Sequence, residues 1–260
     1  MKASSSAALW TCFHACNTFE GIMANRIRFI TWNCRIGGFR WKSKQIAPLK
    51  PDVLVVQEVE PIDQVLLFGG EEQPTFRSQI RNPKYQRRTL TVFSYADIVL
   101  RAVDTEDPLY SFRRISGKKG GLDFQFVGLW TAHSNNKEMS YRQSHNGISK
   151  YNNWISQKPT VILGDFNSNA SYQSDNWQEL MDLMKPFGLV SAYHHFYGED
   201  FGKETRPTYY HRAKKDSKFH VDYCFFPEAW VDNLVSVELG DFDTWCEFSD
   251  HVPLVVDFEF

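Results

Sequence analysis

The sequence lacks the cysteine pattern of a zinc-binding or disulfide-stapled domain. Its five cysteines are an odd number, and no two of them stand at CxxC spacing. This argues against a zinc knuckle and a disulfide framework, and it favours a reducing compartment. The chain also lacks an apolar run of about 18 residues, which a membrane-spanning helix needs. We therefore expect a monomeric, cytoplasmic protein with no membrane partner.

The chain also has almost no net charge, since its 29 Lys and Arg are balanced by 31 Asp and Glu. A total near zero predicts only modest non-specific affinity for nucleic acid. The distribution is uneven, however: Arg26–Lys50 holds seven basic residues and no acidic one, and the segment after Lys218 holds ten acidic residues and no Lys or Arg. Such runs are often solvated faces. Acidic residues beside basic loops also suit a metal–carboxylate centre ringed by cations that bind phosphate.

A chain of 260 residues, 42% of them hydrophobic, can bury one substantial core. We therefore expect a single domain over residues 23–260. Residues 1–22 resemble a poor signal peptide, because the apolar stretch Ala7–Trp10 is short and polar residues soon follow it. Since Met23 leads directly into a strand pattern, we interpret residues 1–22 as a disordered tail or an over-long start.

Hydrophobic periodicity predicts many strands and few helices. The predicted strands are Arg26–Trp32, Val53–Val56, Leu90–Phe93, Asp97–Val103, Leu122–Ala132, Thr160–Leu163, Phe219–Phe226, Val231–Leu239 and Val252–Phe260. The predicted helices are Phe39–Ala47, Glu138–Gln157 and Trp177–Met184. Because strands and helices do not alternate strictly, the pattern favours two sheets packed face to face with helices outside. The long polar segments 69–89, 104–121 and 198–218 are predicted to be substrate loops.

Short polar sequence motifs, called polar words below, lie where the predicted strands end. They are Trp32-Asn33, Gln57-Glu58, GDFN at 164–167, H-x-D-Y at 220–223 and SDH at 249–251. Each word alone is explained by a turn or a cap, although a carboxylate directly after the run VLVVQ needs a cation or a set of donors. His220 and Asp222 are predicted to share one face of a strand. Five such words in one chain exceed chance, and converging strand ends commonly assemble a site.

Together these words resemble the signature of the endonuclease/exonuclease/phosphatase superfamily, over about Arg26–Phe260. That group includes exonuclease III-type repair enzymes, pancreatic-type deoxyribonucleases, deadenylases and inositol-polyphosphate phosphatases. The resemblance implies a four-layer α/β/β/α sandwich, in which two mixed sheets pack together between outer helices. It also implies a divalent-metal-dependent phosphoester hydrolase with its site at one rim of the paired sheets.

The resemblance also implies a metal site. Glu58 is the expected primary ligand, with Asn33 beside it and Asp250 as a further ligand, directly or through water. Mg²⁺ is the expected ion, and Mn²⁺ is an alternative. Mg²⁺ prefers few protein carboxylates and keeps several waters, which agrees with so small a set.

The remaining words are expected to carry the reaction. Asp165 resembles the general base that activates the attacking water, and Asn167 would hold it and donate to a phosphoryl oxygen. His251 would contact the phosphate as an imidazolium, oriented and kept charged by Asp222. His133, in the run WTAHS, stands where relatives carry a Tyr or His that contacts phosphate. A histidine whose hydrogen bonds are satisfied at a strand end is the alternative reading of His133.

Two departures from the family pattern affect these expectations. Arg35 stands where some repair enzymes carry an acid or amide, which favours one principal metal and suggests that Arg35 contacts phosphate. Arg212, in the basic segment TYYHRAKKDSK, is the second candidate phosphate contact. The segment RRT replaces a Gly-rich turn found before Leu90 in many relatives, so no site residue is assigned there.

The substrate class follows from the basic stretches 35–50, 77–88 and 203–218. Aromatic residues are interleaved with them: Phe39, Trp41, Tyr85, Tyr209 and Tyr210. Cations beside stacking rings suit a polynucleotide backbone, so we predict a nuclease, with DNA favoured over RNA. One alternative is a phosphodiesterase or phosphatase for small-molecule or lipid-headgroup esters. A non-catalytic binding module is a remote alternative, because binding alone needs no general base.

Overall fold

The computed structural model describes residues 25–61, 74–81, 88–104, 106, 108–131, 139–171 and 174–260. Its strands are β1 (Arg26–Asn33), β2 (Val53–Val59), β3 (Phe76–Arg81), β4 (Thr89–Ser94), β5 (Val99–Ala102), β6 (Phe112–Lys119), β7 (Leu122–Trp130), β8 (Thr160–Asp165), β9 (Leu189–Ser191), β10 (Tyr209–Tyr210), β11 (Lys218–Phe219), β12 (Asp222–Pro227), β13 (Leu234–Leu239) and β14 (Leu254–Glu259). Its helices are α1 (Phe39–Ile46), α2 (Met139–Lys150), α3 (Asn152–Ile155), α4 (Ser174–Met184), α5 (Ala192–Tyr197) and α6 (Phe242–Trp245). Residues 1–22, which we interpret as a tail, lie outside the described residues.

Two six-stranded mixed sheets form the centre of the fold. Their strand orders are β13-β14-β1-β2-β4-β3 and β5-β6-β7-β8-β12-β9. In each sheet one central pair is parallel, β1 with β2 and β7 with β8, and the other pairs are antiparallel. The short hairpin β10-β11 stands apart from both sheets.

Aromatic side chains fill the space between the two sheets. Phe29 of the first sheet meets Phe124 and Phe126 of the second edge-to-face, with ring centroids 6.0 and 5.9 Å apart. On the outer face of the first sheet, α1 buries Phe39. On the outer face of the second sheet, α4 buries Trp177. The predicted four-layer sandwich is confirmed. In the described ranges, no helix is long and apolar enough to cross a membrane.

The strand directions bring the polar words to one rim. Because β1 and β2 are parallel, Asn33 lies opposite Gln57, next to Glu58. In the second sheet Asp165 ends β8, and the antiparallel β12 begins there with Asp222 opposite Asp165. The segment that ends in His251 leads into β14 at the same end of the first sheet. One rim therefore receives groups from five segments of the chain.

Three strands form where the sequence predicts loops. β3 lies inside segment 69–89, β6 inside segment 104–121 and β10 inside segment 198–218. Contacts distant in sequence satisfy the charged side chains of β6. Arg113 of β6 donates to Ser78 and Asp104, both at 2.6 Å. The Arg114 guanidinium lies 4.2 Å from the centroid of the Tyr151 ring. Such tertiary contacts override the local preference.

Three predicted elements have different bounds. The long helix 138–157 divides into α2 and α3, and the strand expected from Val231 begins only after a 3₁₀ turn at 228–233. His220 lies before β12 rather than on its face, so the predicted sharing of a face with Asp222 is wrong. Its Nδ1 lies 2.9 Å from the Arg206 carbonyl oxygen, and its ring packs 4.3 Å from that of Tyr193.

Candidate active site

The rim carries a cavity of about 680 Å³. Its wall includes residues from both sheets and from the β10-β11 hairpin: Asn33, Glu58, Asn167, Tyr209, Asp250 and His251. The hairpin is fixed against the rim, because Tyr210 N–H donates to the Asp250 carbonyl and Val252 N–H donates to that of Thr208, at 2.7 and 2.9 Å. These backbone hydrogen bonds therefore hold the hairpin wall of the cavity in place.

A bulge in β2 turns Glu58 into this cavity. The pairing of β2 with β4 shifts register between Val56 and Val59, and Glu58 has a φ of 63°. This left-handed conformation is costly for a non-glycine residue and is found mainly where function requires it. One carboxylate oxygen of Glu58 accepts from Ile36 N–H and from Arg88 Nη1, both at 2.8 Å. The other faces Asn33 Nδ2 at 3.4 Å.

Asp165 is fully buried and is held entirely by neutral N–H donors. Oδ2 accepts from Asn33 Nδ2 at 2.9 Å and from Asn167 Nδ2 at 2.8 Å, while Oδ1 accepts from Asn167 N–H at 2.8 Å. Asn167 takes a φ of 47° and also donates to the Thr131 carbonyl at 2.6 Å. Both amides thus fix the carboxylate without neutralising its charge.

His251 and Asp222 form a buried pair beside Asp165. Nδ1–H of His251 donates to Asp222 Oδ2 at 2.8 Å, and the Tyr209 ring lies 4.6 Å from the imidazole. The Thr208 hydroxyl accepts the backbone N–H of Asp222 at 3.0 Å. One ligand atom from each of Asp165, Asp222 and His251 lies within 4.8 Å of the others. The chain therefore concentrates two carboxylates and one imidazole in a buried volume.

Burial and the charges in this cluster together raise the pKa of both Asp165 and His251. Burial raises the pKa of Asp165, and the negative charge of Asp222 raises it further, although the His251 charge opposes both. Burial lowers the pKa of His251, but the charges of Asp222 and Asp165 outweigh burial and raise it overall. The arrangement favours an imidazolium beside a carboxyl that can accept a proton near neutral pH.

Asp250 and the two predicted phosphate contacts line the same cavity. Arg35 Nε lies 3.4 Å from Asp250 Oδ2, while Arg212 faces the cavity from the turn that follows β10. Both arginines take a positive φ, 48° and 56°. His133 lies outside the described residues, so its assignment stays a prediction.

Sequence reasoning assigned no role to Arg88 and a different role to Tyr209. Arg88, in the RRT segment to which it assigned no residue, pairs with Glu58. The only signal was the replacement of a Gly-rich turn by two adjacent arginines. Tyr209 was expected to stack on a base, whereas its ring packs beside His251. Its position in a hairpin that bends back to the SDH segment is not readable from local pattern.

The donor set fits a divalent cation. The buried Asp222 Oδ1 has no hydrogen-bond partner among the described residues, and Glu58 Oε1 has only the long contact to Asn33. Carboxylate oxygens at such positions suit Mg²⁺. Asn33 presents its amide nitrogen to Glu58, while its oxygen accepts from Arg35 N–H at 2.9 Å. Among the described residues, the ligand atoms that converge are those of Asp165, Asp222 and His251. Glu58 and Asp250 offer further oxygens at the cavity wall, and Asn33 donates to both Glu58 and Asp165.

Residues 30–251 match the model of the Endonuclease/Exonuclease/phosphatase family. The chain belongs to this family. Its members hydrolyse phosphoester bonds and generally depend on a divalent metal. The resemblance inferred from the polar words is thereby confirmed, and so is the assignment as a hydrolase of ester bonds. No match was found among curated protein sequences.

Solved structures of similar fold agree with this membership. The AP endonuclease LMAP from Leishmania major shares 13% identity at a TM-score of 0.68, over 91% of this chain and 88% of that one. The 3' phosphatase NExo from Neisseria, bound to a product DNA hairpin, shares 17% identity at 0.64, over 90% and 100%. Truncated TDP2 from Caenorhabditis elegans shares 14% identity at 0.67, over 90% and 98%. At these identities the likeness supports the fold alone.

Proposed function

We propose that this family member is a Mg²⁺-dependent phosphodiesterase that cuts nucleic acid, with DNA favoured over RNA. The observation that carries the proposal is the buried cluster of Asp165, Asp222 and His251, of which His251 lines a basic cavity. Arg35, Arg88 and Arg212 all line that cavity. Guanidinium groups bind phosphate through paired N–H donors, so the cavity suits a phosphodiester flanked by further phosphates.

Asp165 is the proposed general base. Three N–H donors fix its carboxylate, and its raised pKa suits removal of a proton from water near neutral pH. The proton of the attacking water passes to Asp165 while its oxygen forms a bond to phosphorus. The bond from phosphorus to the leaving oxygen breaks on the opposite side. Asn167, already anchored to the Thr131 carbonyl, holds the base at the cavity wall.

His251 is the proposed cation that stabilises the reacting phosphoryl group. Asp222 occupies Nδ1, so the Nε2–H of the imidazolium is the donor left for a phosphoryl oxygen. Its raised pKa keeps that proton in place at neutral pH. A metal held by Glu58 and Asp250 supplies, when bound, further charge stabilisation at the phosphoryl and leaving oxygens.

Three of the solved neighbours support a nucleic-acid substrate. An AP endonuclease, the endonuclease domain of the telomere-specific retrotransposon TRAS1 and a 3' phosphatase bound to a DNA hairpin share the fold. Their substrates are their own, and they motivate the choice of panel here. The alternative of a small-molecule or lipid-headgroup phosphoester predicts turnover without salt-sensitive affinity for DNA.

The test is cleavage of an end-labelled panel in Mg²⁺ and in Mn²⁺. The panel holds single- and double-stranded DNA, abasic DNA, RNA and small phosphodiesters, and EDTA and Asp165→Asn serve as controls. Cleavage of a polynucleotide that both controls abolish is the expected result. Turnover of the small esters alone would replace the nuclease by the phosphodiesterase. Cleavage that survives in Asp165→Asn would remove Asp165 as the base.

A further inference from the structure

The loop between β1 and α1 is held in an unfavourable conformation. Its four residues Arg35, Ile36, Gly37 and Gly38 have consecutive positive φ values of 48°, 54°, 73° and 71°. Glycine adopts this conformation freely, but a β-branched residue such as Ile36 is rarely found in it. Backbone strain of this kind persists only where the surroundings enforce it, and it concentrates at functional sites.

Two carboxylates from the end of β2 enforce the conformation. Glu58 accepts from Ile36 N–H at 2.8 Å, and Glu60 accepts from the N–H groups of Phe39 and Arg40 at 2.8 and 3.1 Å. The Lys42 ammonium donates to the Arg35 carbonyl at 2.9 Å. The loop is thus fixed from both sides, and the same Glu58 belongs to the candidate metal site.

This fixed loop presents large apolar side chains to solvent. Ile36 is 64% exposed and lines the active-site cavity, while Trp41, in the first turn of α1, is 62% exposed. The two residues bracket the start of the helix. Burial in the core does not explain them, because neither packs there, and a strained backbone that holds Ile36 in water gives no stability.

Exposed cations are next to both residues in the chain, Arg35 before Ile36 and Arg40 before Trp41. Arg35 and Arg40 are exposed, and the Arg40 guanidinium carbon lies 5.0 Å from the centroid of the Trp41 ring. No acidic residue occurs between Arg26 and Lys50. Rings and cations on one surface are the arrangement by which proteins bind single strands, because bases stack on the rings while phosphates contact the cations.

We propose that Ile36 and Trp41, flanked by Arg35 and Arg40, form a stacking surface for unpaired nucleobases of the strand that enters the cavity. This inference rests on the proposed function and deepens it by naming the form of the substrate. A base in a duplex keeps both faces stacked on its neighbours, whereas an unpaired base offers a face to a side chain. A small phosphoester has no base to place there. The surface therefore selects single-stranded or frayed segments beside the scissile phosphate.

The test measures affinity without turnover, in EDTA, by fluorescence anisotropy of labelled single-stranded and duplex oligonucleotides. Trp41→Ala is expected to weaken single-strand binding roughly 5-fold or more, because one stacked base is lost, and to change duplex binding little. Trp41→Phe restores most of the affinity. The matched control is Phe196→Ala, since Phe196 is an exposed ring, 44% accessible, that lies in α5 and not in the β1–α1 segment. It should bind like the wild type.

Ile36→Gly separates a binding role from a structural one. Glycine accepts the positive φ without strain, so the melting temperature should not fall, whereas single-strand affinity should. Equal affinity of Trp41→Ala and wild type for single strands would overturn the inference. Two further results for Trp41→Ala would overturn it. One is an equal loss of affinity for duplex and for single strands, and the other is a loss of binding only to phosphatidylserine vesicles. If the wild type cuts polynucleotides and Trp41→Ala binds normally, the inference alone fails. If the wild type neither cuts nor binds any polynucleotide, the proposed function fails together with this inference.

Discussion

Two buried aspartates, Asp257 in β14 and Asp165 in β8, show how the same burial serves different ends. Asp257 is fully buried and accepts from Arg28 Nε at 2.8 Å, Arg26 Nη2 at 2.7 Å and Ser236 Oγ at 2.8 Å. Burial raises its pKa, but these hydrogen bonds outweigh burial and lower it to about 2. Asp165 is equally buried, its hydrogen-bond donors in the described part of the chain are all amide N–H groups, and its pKa is raised.

The difference lies in the partners. Two guanidinium groups satisfy the charge of Asp257, so its ionised form stabilises the fold. Asp165 faces a second carboxylate, Asp222, across the β8-β12 pair, and its ionised form is costly. A carboxyl whose neighbours leave it poised to take a proton is suited to catalysis. The comparison thus separates a structural carboxylate from a reactive one by chemistry rather than by burial.

The largest expected effect comes from exchanging each carboxylate for an amide. Asp165→Asn should lower kcat roughly 10²- to 10⁴-fold, because the general base is lost. Asp257→Asn serves as the matched control, since it also removes one buried negative charge, and its kcat should stay near that of the wild type. Single-turnover cleavage of a panel substrate that the wild type cuts measures both. Near-normal kcat in Asp165→Asn would place the base elsewhere.

Asp257→Asn should destabilise the fold more than Asp165→Asn does, which is the reverse of their expected effects on kcat. Asp257→Asn should cost about 2–3 kcal/mol in the free energy of unfolding, below the full cost of breaking a buried pair, because Arg26 is 54% exposed and screened. Folding lowers the pKa of Asp257 from its ordinary value of 3.8 to about 2. Its contribution is therefore present above pH 4 and lost as pH falls towards 2. Urea unfolding of the wild type and of Asp257→Asn across that pH range should show the difference between their free energies of unfolding shrink as pH falls. A difference independent of pH would contradict the structural role of Asp257.

Sequence pattern predicted Asp165, the proposed base, as a site residue, but it gave no role to Asp257. Asp165 follows a buried strand, and strand ends are readable from periodicity, so the rim and most of its residues could be placed in advance. Asp257 lies inside a predicted strand, and its partners Arg26 and Arg28 look like the wet face of another. Only the antiparallel pairing of β1 with β14 shows that these three charges neutralise one another.

The same limit explains what was missed at the site. The bulge that turns Glu58 inward and the Arg88 that pairs with it depend on the register of β2 against β4, which no local pattern encodes. β6 was missed because its arginines Arg113 and Arg114 mimic loop composition until their tertiary partners are known. Local words therefore predict which residues gather at the rim, whereas strand pairing decides what balances their charge.

Glu58→Gln tests the metal site without touching either aspartate. Loss of one ligand charge should raise the Mg²⁺ concentration for half-maximal activity roughly 10-fold or more, since even outer partners of a ligand change affinity on this scale. Direct Mn²⁺ binding, followed by electron paramagnetic resonance, should weaken in parallel. Asp257→Asn again supplies the control. An unchanged metal titration would exclude Glu58 as a ligand.

Asp222→Asn removes the neighbour that distinguishes Asp165 from Asp257. Asp222 raises the pKa of both Asp165 and His251, so the neutral variant should lower both. Activity needs Asp165 ionised and His251 protonated, so the acid limb of the kcat profile and its alkaline limb should both move to lower pH. The profile from pH 5 to 10 measures this. A fixed alkaline limb would mean that another group than His251 carries the essential proton.

The smallest effect concerns the Arg88–Glu58 pair, which resembles the Arg28–Asp257 pair in geometry but not in setting. Both pairs measure 2.8 Å, yet Glu58 lines a cavity open to solvent and metal, whereas Asp257 is sealed in a sheet. If the pair is exchangeable, Arg88→Gln should cost less than about 1 kcal/mol of stability, as partly exposed pairs do, and should lower the half-saturating Mn²⁺ concentration about 2- to 3-fold by freeing a carboxylate oxygen. Calorimetric metal titration and urea unfolding measure the two quantities. A stability loss as large as that of Asp257→Asn, with unchanged metal affinity, would instead make Arg88 a structural partner and place the metal away from this oxygen of Glu58.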